Sequence, residues 1–205
     1  MISYIISLFV LVPLVFGCCI PSQWEGLQGL AMGQIKDGKP SSIEELLNIS
    51  FDANAKKIFV AGSITVDDKS YNEQVLQDFS TGKQYVVVSG QCTATAITEP
   101  FPQTCTSPSA KKLVTTFVGA GQNKLIVEVY NDDMDGKKTD ITVLQGSCIP
   151  VSAYQKSGQT VTFINYLGIT AGISNATIFD IPKPCKNATI MPENTRHFKS
   201  TVLFR

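Results

Sequence analysis

The chain has 205 residues, with seventeen Lys and Arg balancing seventeen Asp and Glu, one His, and only 17% charged residues. Formal neutrality excludes the strongly basic face of a nucleic-acid binder and a long acidic tail. A hydrophobic fraction of 43% is more than a disordered chain carries, and His197 alone leaves little imidazole for zinc or general-base chemistry.

Residues 1–17, MISYIISLFVLVPLVFG, are an uncharged apolar run ending in a small residue, which predicts a secretory signal peptide. A buried N-terminal strand or an uncleaved anchor fits less well, because the run is short for a span and a cysteine pair follows at once. No internal repeat or low-complexity linker divides the remainder, so residues 18–205 are expected to form one domain. Next in chain order, Ser42-Ile43-Glu44-Glu45 has the form of a helix capping box leading into Leu46-Leu47, but the apolar pattern breaks at Asn48. Helix and strand both stay open there.

Runs rich in Val, Ile, Thr, Phe and Tyr follow at 57–66, 84–89, 112–118, 124–130, 140–145, 159–166 and 176–181, and each reads as a strand. Turn signals at Thr81-Gly82, Gly119-Ala120-Gly121 and Asp135-Gly136 separate them too closely for crossover helices. Residues 141–145 and 160–166 alternate apolar with polar, as sheets with one buried face do. The expected class is mainly β and antiparallel. The apolar stretches 86–88, 125–127 and 178–179 would line either a core or a ligand pocket, and the sequence by itself assigns no pocket residue.

Six cysteines, Cys18, Cys19, Cys92, Cys105, Cys148 and Cys185, all follow the proposed cleavage point and lack C-x-x-C zinc spacing, so disulfides are expected. Sequons at Asn48, Asn175 and Asn187 point to the same compartment and to N-glycosylation. No G-x-S-x-G, H-E-x-x-H, Walker or G-x-G-x-x-G motif is present. Glu25, Glu73, Glu99 and Glu128 could supply a glycosidase carboxylate pair, a signal with almost no specificity. The chain is therefore read as a non-enzyme.

The densest oxygen-rich cluster is Asn131-Asp132-Asp133-Met134-Asp135-Gly136. Asn131, Asp133 and Asp135 have the spacing of hard ligands for calcium, but Thr142 stands where an EF-hand needs a bidentate Glu, and the flanks read as strands. A solvated hairpin turn is the alternative. Trp24 reads as a buried anchor whose indole N–H would be taken by Glu25 or a backbone carbonyl.

The segment Cys18-Cys19-Ile20-Pro21-Ser22-Gln23-Trp24-Glu25-Gly26 resembles the start of mature ependymins, C-x-x-P-x-Q-W-E-G. Phe51-Asp52, Gln91-Cys92, Ser147-Cys148-Ile149-Pro150-Val151 and the Phe-x-x-Pro-x-x-Cys end from Phe179 to Cys185 follow in the family's order. The resemblance implies a secreted or lysosomal glycoprotein whose two antiparallel sheets form a half-open barrel. It further implies a hydrophobic pocket similar to that of bacterial lipoprotein carriers, a lipid-like ligand, bound calcium, homodimers and association with extracellular or calcified matrix. By the same resemblance Cys18 would pair with Cys148 and Cys92 with Cys185, while Cys19 and Cys105 would form an extra bridge or stay reactive. The family's usual Arg after Trp-Glu-Gly is Leu27 here, and the tail after Cys185 matches poorly.

Overall fold

The computed structural model describes residues 17–134 and 137–191. Strands β1 (Gln23–Lys36), β2 (Lys39–Asp52), β3 (Lys57–Val66), β4 (Lys69–Asp78), β5 (Lys83–Val88) and β6 (Gln91–Ala96) form one antiparallel meander. A second meander consists of β7 (Lys111–Val118), β8 (Leu125–Met134), β9 (Lys137–Leu144), β10 (Pro150–Ser157) and β11 (Thr160–Ala171). β11 pairs antiparallel with β1, and the short β12 (Ile190–Met191) adds parallel to β6, giving one 12-stranded sheet. The two expected sheets are thus two wings of a continuous one. Its curl is evident in the main core, where Val75 and Val86 of one wing pack in the same cluster as Ile141 and Val143 of the other. The architecture is a half-open barrel with an apolar concave face.

The segment 42–47 lies within β2. Its capping-box form loses to context, because β2 is flanked on both sides and its odd positions Leu47, Ile49 and Phe51 are buried in the concavity. The expected strand at 176–181 is corrected: Ala176–Phe179 is a 3₁₀ turn whose first N–H groups are met by Asn175 Oδ1 accepting from the Thr177 amide. Pro182 and Pro184 follow and cannot continue a ladder. This turn and the 3₁₀ turn Lys183–Cys185 cover the convex side of β3 to β6, where Leu76, Tyr85, Val87, Ala94, Phe179 and Cys185 form a second, smaller core.

Three disulfides pair Cys18 with Cys148, Cys19 with Cys105 and Cys92 with Cys185. The third holds the covering segment to β6. The other two hold the N-terminal segment to the β9–β10 turn and to the loop between β6 and β7. Ile20 donates to the Thr104 carbonyl at 2.8 Å and Thr106 to that of Cys18 at 2.8 Å, so this loop runs antiparallel to residues 18–20. The pairing of Cys19 with Cys105 settles the alternative left by the sequence, a bridge or a free thiol.

Gly62 shows how tightly the meander is laid. A Cβ there would stand 2.2 Å from the Leu46 carbonyl oxygen and 3.0 Å from the Leu47 Cα, both backbone atoms of β2 that cannot swing aside. Gly62→Ala must push β3 from β2, and the expected cost is about 1–3 kcal/mol. Urea unfolding tests this: an unchanged midpoint would show that the two strands separate freely at this point.

Candidate functional site

Strand pairing sorts the concave face into rungs. At one end Trp24, Phe51 and Ile58 share a rung, all within 1% of complete burial. Trp24 stacks on Phe51 with centroids 5.5 Å apart and meets Tyr166 edge-on at 5.6 Å, while Phe101 bridges Phe51 at 5.3 Å and Phe79 at 5.2 Å. These rings fill the closed end. Among the described residues the Trp24 indole Nε1 has no hydrogen-bond partner, contrary to the role expected for Glu25, which instead accepts from Ser50 Oγ and the Ser174 amide, both at 3.0 Å.

Toward the other end the same face changes character. One rung carries Gln28, Leu47, Gly62, Glu73 and Val88. The next carries Ala153, Ile164, Leu30, Glu45, Ile64 and Tyr71. The next carries Gln155, Thr162, Met32, Ile43 and Val66. Met32, Ile43, Val66 and Val88 are half-buried and Tyr71 is exposed, so this end of the half-barrel is open. A cavity of about 210 Å³ lies here, lined by Met32, Lys137, Gln155, Ser157, Thr160 and Thr162.

Three buried polar atoms on these rungs lack a hydrogen-bond partner among the described residues: Glu45 Oε2, Glu73 Oε1 and Gln155 Nε2. A buried polar atom costs free energy unless it is paired, so a core filled for stability alone does not favour this arrangement. Burial, together with the charge of nearby Glu73, pushes the Glu45 carboxyl up to about 7, and burial alone pushes Glu73 up to about 7. Glu25, Asp78 and Glu128 are held below the usual carboxylate range. Burial opposes this at Glu25 and is outweighed by the Ser174 and Ser50 bonds, and at Asp78 it is outweighed by Ser80, Thr81 and Lys57. Glu128 is lowered by the Tyr130 hydroxyl at 2.7 Å and Lys112 at 3.1 Å.

Of the residues singled out in the sequence, Glu73 lies on these rungs, whereas the calcium candidates lie elsewhere. Asn131 and Asp133 are in β8, in register with Asp140 and Lys138 of β9, and Asp135 lies outside the described residues. Asn131 Nδ2 donates to Asp140 Oδ1 at 2.7 Å, while the intervening Asp132 is buried on the opposite face and accepts from the Ser107 amide at 2.8 Å. Among the described residues no three acidic, His or Cys side chains converge as a metal site. Asp52 serves a turn, accepting from Gln23 Nε2 and the Ala55 amide at 2.8 Å each. Asn48, Asn175 and Asn187 are all exposed, Asn48 on the convex face of β2. A groove of about 420 Å³ is lined by Gly29, Leu30, Ala31, Glu44, Glu45, Leu46, Ser63, Thr65 and Asn165, and Leu46, Phe163 and Leu167 are exposed on the convex face.

A family model described as Ependymin matches residues 67–185. No curated protein matches this chain. Among solved structures it is similar to LprF from Mycobacterium bovis at 8% identity, covering 79% of this chain and 90% of that one with a TM-score of 0.42. It is also similar to a LolA superfamily protein from Nitrosomonas europaea at 9% identity, covering 79% and 92% of the two chains with a TM-score of 0.34.

The two raised carboxyls set a pH dependence. Folded Glu45 and Glu73 keep their protons up to about 7, whereas the unfolded chain releases them near 4.5. The folded state therefore binds more protons between those values, and stability from this pair is full below about 4.5 and lost as the pH rises through about 7. The lowered carboxylates act in the opposite sense, and only on acidification below that window. The melting temperature is expected to fall by several degrees between about pH 5 and pH 8, since about 1 kcal/mol moves it about 2–4 °C at this size. Glu73→Gln should flatten that slope. A melting temperature constant across the window would show that the two carboxyls are solvated.

Proposed function

This chain belongs to the ependymin family, and on that premise we propose that it is a secreted, non-enzymatic carrier holding a hydrophobic, lipid-like molecule at the open end of its half-barrel. The observation that carries the reading is the contrast along the concave face. Aromatic rings fill one end, while the other carries half-buried Met32, Ile43, Val66 and Val88, the partnerless atoms of Glu45, Glu73 and Gln155, and a cavity lined by Met32 and Gln155 among others. Binding sites combine apolar lining with a few convergent polar groups in this way. Each ligand CH₂ removed from water there contributes about 0.8 kcal/mol.

The three disulfides fit an extracellular protein, with the lysosome as the alternative destination. The proposed signal peptide, residues 1–17, lies outside the described residues apart from Gly17. Exposure of Asn48, Asn175 and Asn187 supports glycans at those positions. Exposed Leu46, Phe163 and Leu167 on the convex face support contact with a second copy or with matrix. A calcium-responsive matrix or adhesion role is the second reading, favoured by the side-by-side placement of Asn131, Asp140 and Asp133 on one hairpin face, where Lys138 opposite Asp133 competes for the carboxylate.

Nile red, an uncharged apolar fluorophore, tests the carrier. Micromolar binding with a blue shift is expected, with a loss of about tenfold in Ile43→Asp, since a charge in apolar surroundings costs more than the about 1.4 kcal/mol that tenfold represents. Absence of binding would remove the carrier. Calorimetry with millimolar calcium tests the second reading, whose expectation is measurable heat and a raised melting temperature, both lost in Asp140→Asn. A flat titration would remove it.

A further inference from the structure

We propose that the molecule bound at the open end carries a hydrogen-bond-donating head group, best a primary ammonium, received by Glu45 and Glu73, and that lipids with carboxylate heads are disfavoured there. The inference rests on the carrier reading and adds the chemistry of the ligand.

Carboxylate oxygens are acceptors, and Glu45 Oε2 and Glu73 Oε1 are buried with no donor among the described residues. Glu73 is only 3% exposed and sits opposite Gly62, which has no side chain to contribute. Glu45 stands one rung nearer the opening, between Leu30 and Ile64. Two acceptors close enough for one charge to act on the other, set in apolar neighbours, are complementary to a group with several N–H bonds. An ammonium supplies three and the charge as well, making the bonds charge-assisted. Once both are ionised, above about pH 7, an anionic head would instead place a third negative group beside the two.

Gln155 provides the second, independent observation. It is 6% exposed, lines the cavity, and its Nε2 is a donor with no acceptor among the described residues. It lies on the Met32–Ile43 rung, adjacent to that of Glu45. Gln155 is on β10, three strands from Glu45 on β2, so it serves a second polar group of the ligand and not the ammonium itself. Cations on this face stand at its rim. Lys137 lines the cavity and exposed Lys69 lies in register with Val66, and neither forms an ion pair with Glu45 or Glu73. They offer a carboxylate head a competing position at the edge, and the test separates the two.

Dodecylamine and dodecanoate, equal in chain length, are each titrated at about pH 8, above the range in which Glu45 and Glu73 hold their protons, into secreted protein loaded with Nile red. The amine is expected to displace the dye at a concentration about tenfold lower than the acid, as charge-assisted bonds are about twice as strong as neutral ones. Glu45→Gln and Glu73→Gln, which keep side-chain size, are expected to reduce that preference to about threefold or less while Nile red still binds. Equal or better displacement by dodecanoate overturns the inference and places the head at Lys137. Dye binding with displacement by neither compound also overturns it, as does an amine preference unaltered in both variants. A protein that binds no Nile red overturns the carrier itself, a result distinct from any of these.

Discussion

The structure depends on the pairing of β1 with β11. Each meander alone would be an open sheet with one apolar face exposed to water, and joining Gln23–Lys36 to Thr160–Ala171 makes them two wings of one sheet that can curl over a shared core. The joint is irregular where the curl needs it. The register shifts between Glu25 and Leu27, and Gly168, opposite that point, has a φ of 58° that a side chain would resist. Gly26 stands within the shift, where a Cβ would meet Ile169 Cδ1 at 2.5 Å and the Leu167 carbonyl at 3.0 Å. The closest approach of the two meanders therefore uses residues that carry little or no side chain.

From that joint follows a division of labour along the concave face. The closed end holds the aromatic cluster, and two disulfides converge near it, because Cys18 is part of the same core and Ile20 is bound to the loop that carries Cys105. Bridges across 130 and 86 residues restrict the unfolded chain strongly, contributing up to about 4–5 kcal/mol each in the loop-entropy account. With stability concentrated there, the open end tolerates buried carboxyls that a small core could not otherwise sustain.

Much of this architecture was legible in the sequence. β3, β5, β7, β8, β9 and β11 announce themselves through β-branched and aromatic residues. β1, β4, β6 and β10 do not, since QWEGLQGLAMGQIK and KSYNEQVLQD are rich in Gly, Gln and other polar residues. They are strands because of what flanks them, a tertiary effect that local propensity does not carry. The site was harder. Glu45 reads locally as half of a capping box, yet it occupies the inward parity of Ile43, Leu47, Ile49 and Phe51, and that alternation was the available signal. Glu73 and Gln155 offer no such pattern, because their burial depends on register with strands distant in sequence.

The three disulfides fit an extracellular protein, and the two buried carboxyls stand apart from them on the sheet. A carboxyl pair in an apolar face is costly to keep charged and costly to keep without donors. Replacing either Glu with Leu would fit the rung pattern of its neighbours and remove both costs. A sheet that retains Glu45 and Glu73 beside Leu30, Leu47 and Ile64 has therefore given up stability at that end. Such a sacrifice is intelligible when the missing donors arrive with a ligand, whose binding then recovers what folding alone forgoes.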